Sequence, residues 1–390
     1  MNNSQPATVL QPVNISERIH ILDILRGFAV FGILVVNIIG FATPTYLPGA
    51  ISNTNLLWYD ALVDSAVLYL ADGKFFTIFS FLFGLGFAVQ IARAEGKGRS
   101  IMSFYPRRLL VLLIIGVLHA VLFWVEDILR LYALLGFALL AFRTRSNREL
   151  AAWAGLFITL SYILSLAVPA LTAKVPNLAL LGSEVYRTGS FWQVVQFQAR
   201  WGIPIFILEM QVQACSVMAL FLLGLLAGRL KVFENLPQQR VLFQSAFWLS
   251  LPLGLSLNLL HHQLEAPWQT SLVFIVAALN LSTAYISGLC LLSLTPHGTR
   301  WLTPLSQVGR MALTNYVLQS VICSLLFNGY GLGWYEKVGS AGLLGIAIGI
   351  YLAQVWFSHW WMSHFLFGPL EWIWRWLTYL QKPPFRRSHA

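Results

Sequence analysis

Residues 109–142 read LLVLLIIGVLHAVLFWVEDILRLYALLGFALLAF, and their only Asp, Glu, His, Lys or Arg side chains are His119, Glu126, Asp127 and Arg130. As one helix the stretch would be about 50 Å long at 1.5 Å per residue, against a hydrocarbon layer roughly 30 Å thick. A hairpin must break it. Glu126–Asp127 is the natural break, because Asp127 suits the N-cap of a second helix, where its carboxylate accepts from exposed backbone N–H groups. Two antiparallel spans, 109–124 and 128–142, follow. They set the fold class: all-α, a polytopic transmembrane helical bundle.

Composition extends that reading to the whole chain. Of 390 residues, 57% are hydrophobic and 10% are charged, against roughly 25% charged in a soluble domain. This excludes a soluble globular protein, a disordered chain, a disulfide scaffold and a collagen-like fibre. Further apolar runs lie at 21–42, 75–92, 150–171, 203–227, 241–260, 271–294, 311–327 and 341–365, which makes ten spans. The segment 56–72 is apolar in part but carries Asp60, Asp64 and Asp72. If it crossed, the loop with Arg93, Lys97, Arg99, Arg107 and Arg108 would fall outside, against the positive-inside rule. It is therefore expected to be an amphipathic or re-entrant helix on the outer face. Both termini then face the cytoplasm. The weak point of this ledger is the external loop 172–201, which carries Lys174, Arg187 and Arg200.

Residues 1–17 read as a flexible cytoplasmic tail, 18–380 as a single membrane domain and 381–390 as a basic cytoplasmic tail. Within 368–380, Trp372, Trp374, Trp376 and Tyr379 accompany Glu371 and Arg375 at i, i+4, the pattern of an interfacial helix. The net charge of +10 is scattered over short loops, so the bilayer's anionic lipid head groups are the expected partner and nucleic acid is not. Cys215, Cys290 and Cys323 sit in apolar runs without a CxxC pair or a His at metal-ligand spacing, so they read as small buried residues and no metal site is expected. No Gx(4)GK[ST], GxSxG or HExxH motif occurs, which leaves nucleotide hydrolysis, serine hydrolysis and metalloprotease chemistry without support.

Ionisable groups at membrane depth need a partner, a cavity or a route to the interface. Asp23 and Arg26 lie three apart on the first span and can pair, and Asn37 continues their face. His119 is the side-chain type suited to proton transfer near neutral pH. Were its helix to hold through Glu126, that carboxylate would share the His119 face about 10 Å further along. Arg130 lies beside Asp127. Arg310, Thr314 and Ser324 fall near one face of GRMALTNYVLQSVICS, with Asn315 and Gln319 beside them, a pattern of interhelical hydrogen bonding. Glu209 stands near Pro204, where a kink could open a polar pocket. In FSFLFGLGF, Gly84 and Gly86 suit close helix approach. His359 and His364 fall near the cytoplasmic end of the last span, and His261–His262 near an outer loop.

The segments RIHILDILRGFAVFGILVVNI, KFFTIFSFLFGLGF, RRLLVLLIIGVLHAVLFWVEDILRLYALLGFALL, GRMALTNYVLQS and GPLEWIWRWLTY together resemble the YeiB-like bacterial inner-membrane proteins, a family of unknown function. The resemblance spans about 18–379 and implies a multi-pass protein of the bacterial plasma membrane. More remotely, the LDxLRG helix followed by a KFF-type helix looks like membrane acyltransferases that acetylate cell-surface sugars. Those enzymes use an acyl-coenzyme A donor, an acceptor on the opposite side, and a His near the outer end of the early helices. Here no His occurs between His20 and His119, so that position has no counterpart.

Two readings follow. In an acyltransferase, His119 would be general base, Glu126 or Asp127 would orient it or the acceptor, and Arg26, Arg107 and Arg108 would hold the phosphates of acyl-coenzyme A, the co-substrate. In a transporter of a small polar solute or protons, Asp23, Arg26, Asn37, His119 and Arg310 would line the route. Arg130 and Asn315 join the candidate binding residues in either case. A third reading is an envelope assembly partner, docked through the Trp-rich C-terminal helix.

Overall fold

A computed structural model of the chain describes residues 19–46, 57–167, 178–261, 263–264 and 266–387. The expected tail 1–17, Lys174, His262 and residues 388–390 lie outside them, as does the Glu209 side chain. In chain order the α-helices are α1 His20–Ala42, α2 Trp58–Leu70, α3 Lys74–Gly96, α4 Tyr105–Leu122, α5 Ile128–Leu139, α6 Asn147–Ser165 and α7 Leu178–Thr188. They continue as α8 Phe191–Arg229, α9 Arg240–His261, α10 Pro267–Ser293, α11 Pro296–Arg310, α12 Ala312–Phe327, α13 Ser340–His364 and α14 Pro369–Tyr379. The only β pairing among the described residues is an isolated bridge between Phe365 and Arg386. The protein is an all-α helical membrane bundle.

Among the described residues, six helical stretches are long and apolar enough to cross a membrane: α1, Trp58–Gly96, α4, α9, Gln269–Ser293 of α10, and α13. A seventh arises if α11 and α12, bent by 77° at Met311, count as one broken span, while Ile128–Phe142 and Gln213–Arg229 are apolar but shorter. Each of the ten expected runs overlaps a helix; that at 150–171 overlaps α6 as far as Ser165, and its residues 168–171 lie outside the described residues. The segment expected as an outer amphipathic helix is helical as α2. With α3 it forms a 39-residue stretch, about 58 Å at 1.5 Å per residue, too long to lie upright within hydrocarbon. Asp60 docks α2 on α13 by accepting from Ala341 N at 2.8 Å.

Two segments read as loops are helical. Residues 296–310 form α11, with Pro296 in its first turn and the Thr295 hydroxyl accepting from Gly298 N at 3.0 Å. A proline in the first turn and a Thr N-cap are the chemistry of a helix start. The external loop 172–201 holds α7 and the first turns of α8, begun by a capping box of Ser190 and Gln193.

The core is centred on α1, whose Ile24, Leu25 and Ala29 are fully buried. A helix apolar on all sides is stable when wrapped by others, and α1 packs against α3, α10, α11, α12 and α13. The expected close approach at Gly84 is present: α3 crosses α8 so tightly that a Cβ on Gly84 would overlap the Phe221 carbonyl, and one on Gly224 the Phe81 carbonyl. Across α12 and α13 runs a polar ladder. Asn315 Nδ2 donates to Ser358 Oγ (3.0 Å), Gln319 Nε2 to Gln354 Oε1 (2.8 Å) and Gln354 Nε2 to the Asn315 carbonyl (2.8 Å). This is the interhelical bonding that the GRMALTNYVLQSVICS pattern suggested.

Candidate functional site

The hairpin between α4 and α5 builds the site. Helix α4 stops at Leu122, and the N–H groups of Phe123 and Trp124 both donate to the His119 carbonyl, at 2.9 and 3.1 Å. Within four residues the chain reverses. Asp127 then caps α5, its Oδ2 accepting from Arg130 N at 2.9 Å, while its Oδ1 meets His119 Nδ1 at 2.8 Å. The side chains are 1% and 0% exposed. The helical spacing that would bring Glu126 to the His119 face does not apply, because the helix ends first. Asp127 is the partner and Glu126 is half-buried beside it.

Neighbouring groups hold this dyad in place. The Arg130 guanidinium lies 3.8 Å from Asp127 Oδ2, donates to the Val125 carbonyl and stacks over Phe206 at 4.3 Å. Gln198 of α8 donates through Nε2 to the Phe123 carbonyl at 3.4 Å, and with its amide turned over the nitrogen would instead reach the carbonyls of Val121 and Ala120 at 2.9 and 3.0 Å, acceptors that the helix end leaves open. Gly116 lets α5 come close: a Cβ there would stand 2.7 Å from Arg130 N and 2.8 Å from Asp127 Oδ2.

A carboxylate accepts, so His119 Nδ1 carries the proton, and in the neutral imidazole Nε2 then presents a lone pair. Nε2 is buried and has no hydrogen-bond partner among the described residues. An imidazole oriented at one nitrogen and open at the other is the geometry of a general base.

A cavity of about 320 Å³ opens from one end of the bundle toward this hairpin. Its lining includes Arg26 of α1, Arg93 of α3, Arg108 of α4, Arg310 of α11, Arg375 of α14 and Lys97 just past α3, against the carboxylates of Asp23 and Glu371. Cations exceed acids, so the mouth attracts anionic groups. Asp23 and Arg26 form the expected pair at 2.8 Å. Further in, buried Leu112, Tyr132 and Tyr316 replace the charges. The Tyr316 ring lies 5.0 Å from that of His119, so the inner end of the cavity stands one ring away from the dyad.

Helix α14 forms part of the wall. The Arg108 guanidinium stacks on Trp374 at 3.6 Å, and Trp374 Nε1 donates to the Arg108 carbonyl at 2.8 Å. Glu371 accepts from the N–H groups of Leu313 and Thr314 at 2.8 and 3.1 Å, capping α12. Burial pushes its carboxyl above the usual glutamate range.

Of the residues singled out from sequence, Asp23, Arg26, Arg108 and Arg310 line the cavity. Arg107 instead donates to the Thr378 carbonyl at 3.0 Å, Arg130 is buried in the hairpin, Asn315 belongs to the polar ladder, and Asn37 lies on α1 away from the cavity wall. Tyr132, Tyr316, Arg93, Lys97 and Arg375 complete the lining without having been singled out. The two tyrosines resemble ordinary packing aromatics, and the cations resemble loop or interface charges. Lys74, at the head of the KFF segment, is fully buried and donates to Asn258 Oδ1 at 2.9 Å and the Leu68 carbonyl at 3.1 Å. Among the described residues, no three His, Cys, Asp or Glu gather as a metal site.

Fold and site together define a multi-pass helical membrane protein with a buried His–Asp dyad one ring removed from a basic-mouthed cavity. The chain belongs to the YeiB-like DUF418 family, described as proteins of unknown function, whose sequence profile matches residues 227–381. It is 33% identical to the uncharacterized protein YxaH of Bacillus subtilis (strain 168), over 97% of this chain and 98% of the relative. It is 30% identical to the uncharacterized protein YeiB of Escherichia coli (strain K12), over 93% and 96% respectively. No solved structure matches.

Proposed function

We propose that the protein transfers an acyl group from a cytoplasmic acyl-coenzyme A to an extracytoplasmic hydroxyl or amine, working in the bacterial inner membrane with both termini in the cytoplasm. The carrying observation is His119, held by Asp127 at Nδ1, with Nε2 unpartnered one ring from the cavity. Arg26 and Arg108 at the mouth hold the donor's phosphates through charge-assisted hydrogen bonds. His119 Nε2 takes the acceptor's proton as its oxygen or nitrogen attacks the thioester carbonyl carbon. The C–S bond then breaks, and the imidazolium returns the proton to the departing thiolate. Asp127 keeps the ring oriented and stabilises its charged form. The mouth lies at the end where the Arg93–Arg108 segment gathers positive charge, the cytoplasmic end by the positive-inside rule.

The test is acetyl-coenzyme A binding and thiol release by the protein in nanodiscs. Loss of a charge-assisted hydrogen bond in Arg26→Ala, worth about 1.5–3 kcal/mol, should weaken binding roughly 10- to 100-fold. His119→Ala should bind normally and release no thiol. Absence of saturable binding to folded protein overturns the reading, and solute flux in proteoliposomes would then establish transport.

A further inference from the structure

The inner end of the cavity holds a second unsatisfied group. Tyr316 is 7% exposed, lines the cavity, and its hydroxyl proton has no acceptor among the described residues. Beside that hydroxyl lies the N–H of Ile128, the first residue of α5. First-turn N–H groups have no acceptor within their own helix, and the helix dipole makes this end electropositive. The Ile128 N–H is directed at the Tyr316 oxygen, which polarises the hydroxyl and leaves its O–H as a donor at the cavity wall, on a ring 5.0 Å from that of His119. Nothing in the packing of α5 against α12 requires a hydroxyl there, and a buried hydroxyl left without an acceptor costs stability.

Resting on the acyl-transfer reading, we propose that Tyr316 Oη, polarised by the Ile128 N–H, forms the oxyanion site that binds the donor's thioester carbonyl oxygen. As the acceptor bonds to the carbonyl carbon, the C=O electron pair moves onto oxygen and is met by the Tyr316 O–H. It returns to reform C=O as the C–S bond breaks and the thiolate leaves with the proton held by His119. Tyr316 donates a hydrogen bond throughout and keeps its own proton. Donors fixed before charge develops need no reorganisation at that moment. The same ring, packed at 5.0 Å from His119, keeps base and oxyanion site in fixed relation, so one tyrosine sets where the carbonyl sits relative to the proton acceptor.

Tyr316→Phe removes only the hydroxyl and keeps the ring. In nanodiscs it should keep wild-type thermal stability and acetyl-coenzyme A affinity while kcat for thiol release falls about 10²- to 10³-fold with KM unchanged. Isotope-edited infrared difference spectra of acetyl-coenzyme A labelled with ¹³C at the carbonyl give a readout independent of turnover. The bound carbonyl band should move to lower frequency in wild type, and that shift should be reduced in Tyr316→Phe. An equal carbonyl shift in both proteins, or a KM change with kcat intact, overturns the assignment to Tyr316 while leaving the acyl-transfer reading in place. Failure of wild type to bind acetyl-coenzyme A overturns both.

Discussion

Gly116→Ala tests whether the dyad depends on the closeness of α4 and α5. The added methyl would lie 2.7 Å from Arg130 N and 2.8 Å from Asp127 Oδ2, where ordinary contact begins at 3.4 Å. Neither obstacle is a flexible tip: one is backbone, and the other is a carboxylate held by His119 and by the first turn of α5. To make room, that turn must withdraw by about 0.7 Å, which stretches the 2.8 Å His119–Asp127 bond beyond the roughly 3.2 Å limit of a good hydrogen bond. Overpacking of this kind costs about 1–3 kcal/mol. A displacement approaching 1 Å in a catalytic group lowers turnover on the order of 10²-fold. The assay is thermal unfolding in nanodiscs together with thiol release from acetyl-coenzyme A. Gly155→Ala on α6, where no atom lies within 4 Å of the added carbon, is the control and should retain wild-type values in both. Wild-type stability and turnover in Gly116→Ala would refute the argument that this glycine sets the dyad's geometry.

Two further outcomes follow from the packing. Gln354→Leu leaves the Gln319 amide without its 2.8 Å partner and removes the donor to the Asn315 carbonyl, so stability should fall by about 1–2 kcal/mol at roughly 0.6–1 kcal/mol per membrane hydrogen bond; an unchanged melting temperature would contradict the ladder's role. Glu371 has its folded-state pKa raised by burial, so the folded protein binds the extra proton. Its contribution to stability is complete below the ordinary glutamate range and is lost as pH rises through the raised value. Glu371→Gln should flatten that part of the melting temperature against pH, and an identical slope in both proteins would argue against it.

Local chemistry was legible in the sequence and long-range geometry was not. The break at Glu126–Asp127 and the capping role of Asp127 follow from length and side-chain type, and both are present. The contact of Asp127 with His119 was hidden, because helical spacing presumes a continuous helix and no Gly or Pro marks the end of α4 at Leu122. Arg26, Arg108 and Arg310 stood out as charges at the edges of apolar runs, yet only folding brings these distant positions around one cavity. Tyr132 and Tyr316 carried no signal, since an aromatic in an apolar helix is usually packing. Helix α11 lies between two apolar runs and is itself too polar to register as one, so its start shows only in the N-cap at Thr295.

The docking of α14 on α4 has a consequence for biosynthesis. His119 and Asp127 are eight residues apart, so the dyad's two side chains leave the ribosome almost together. The basic mouth needs Arg310, Glu371, Trp374 and Arg375, which emerge long after the α4–α5 hairpin. A nascent or truncated chain ending before Pro369 would carry the dyad without the last wall of its cavity. The cavity wall is therefore closed only when α14 seats against a segment inserted more than two hundred residues earlier.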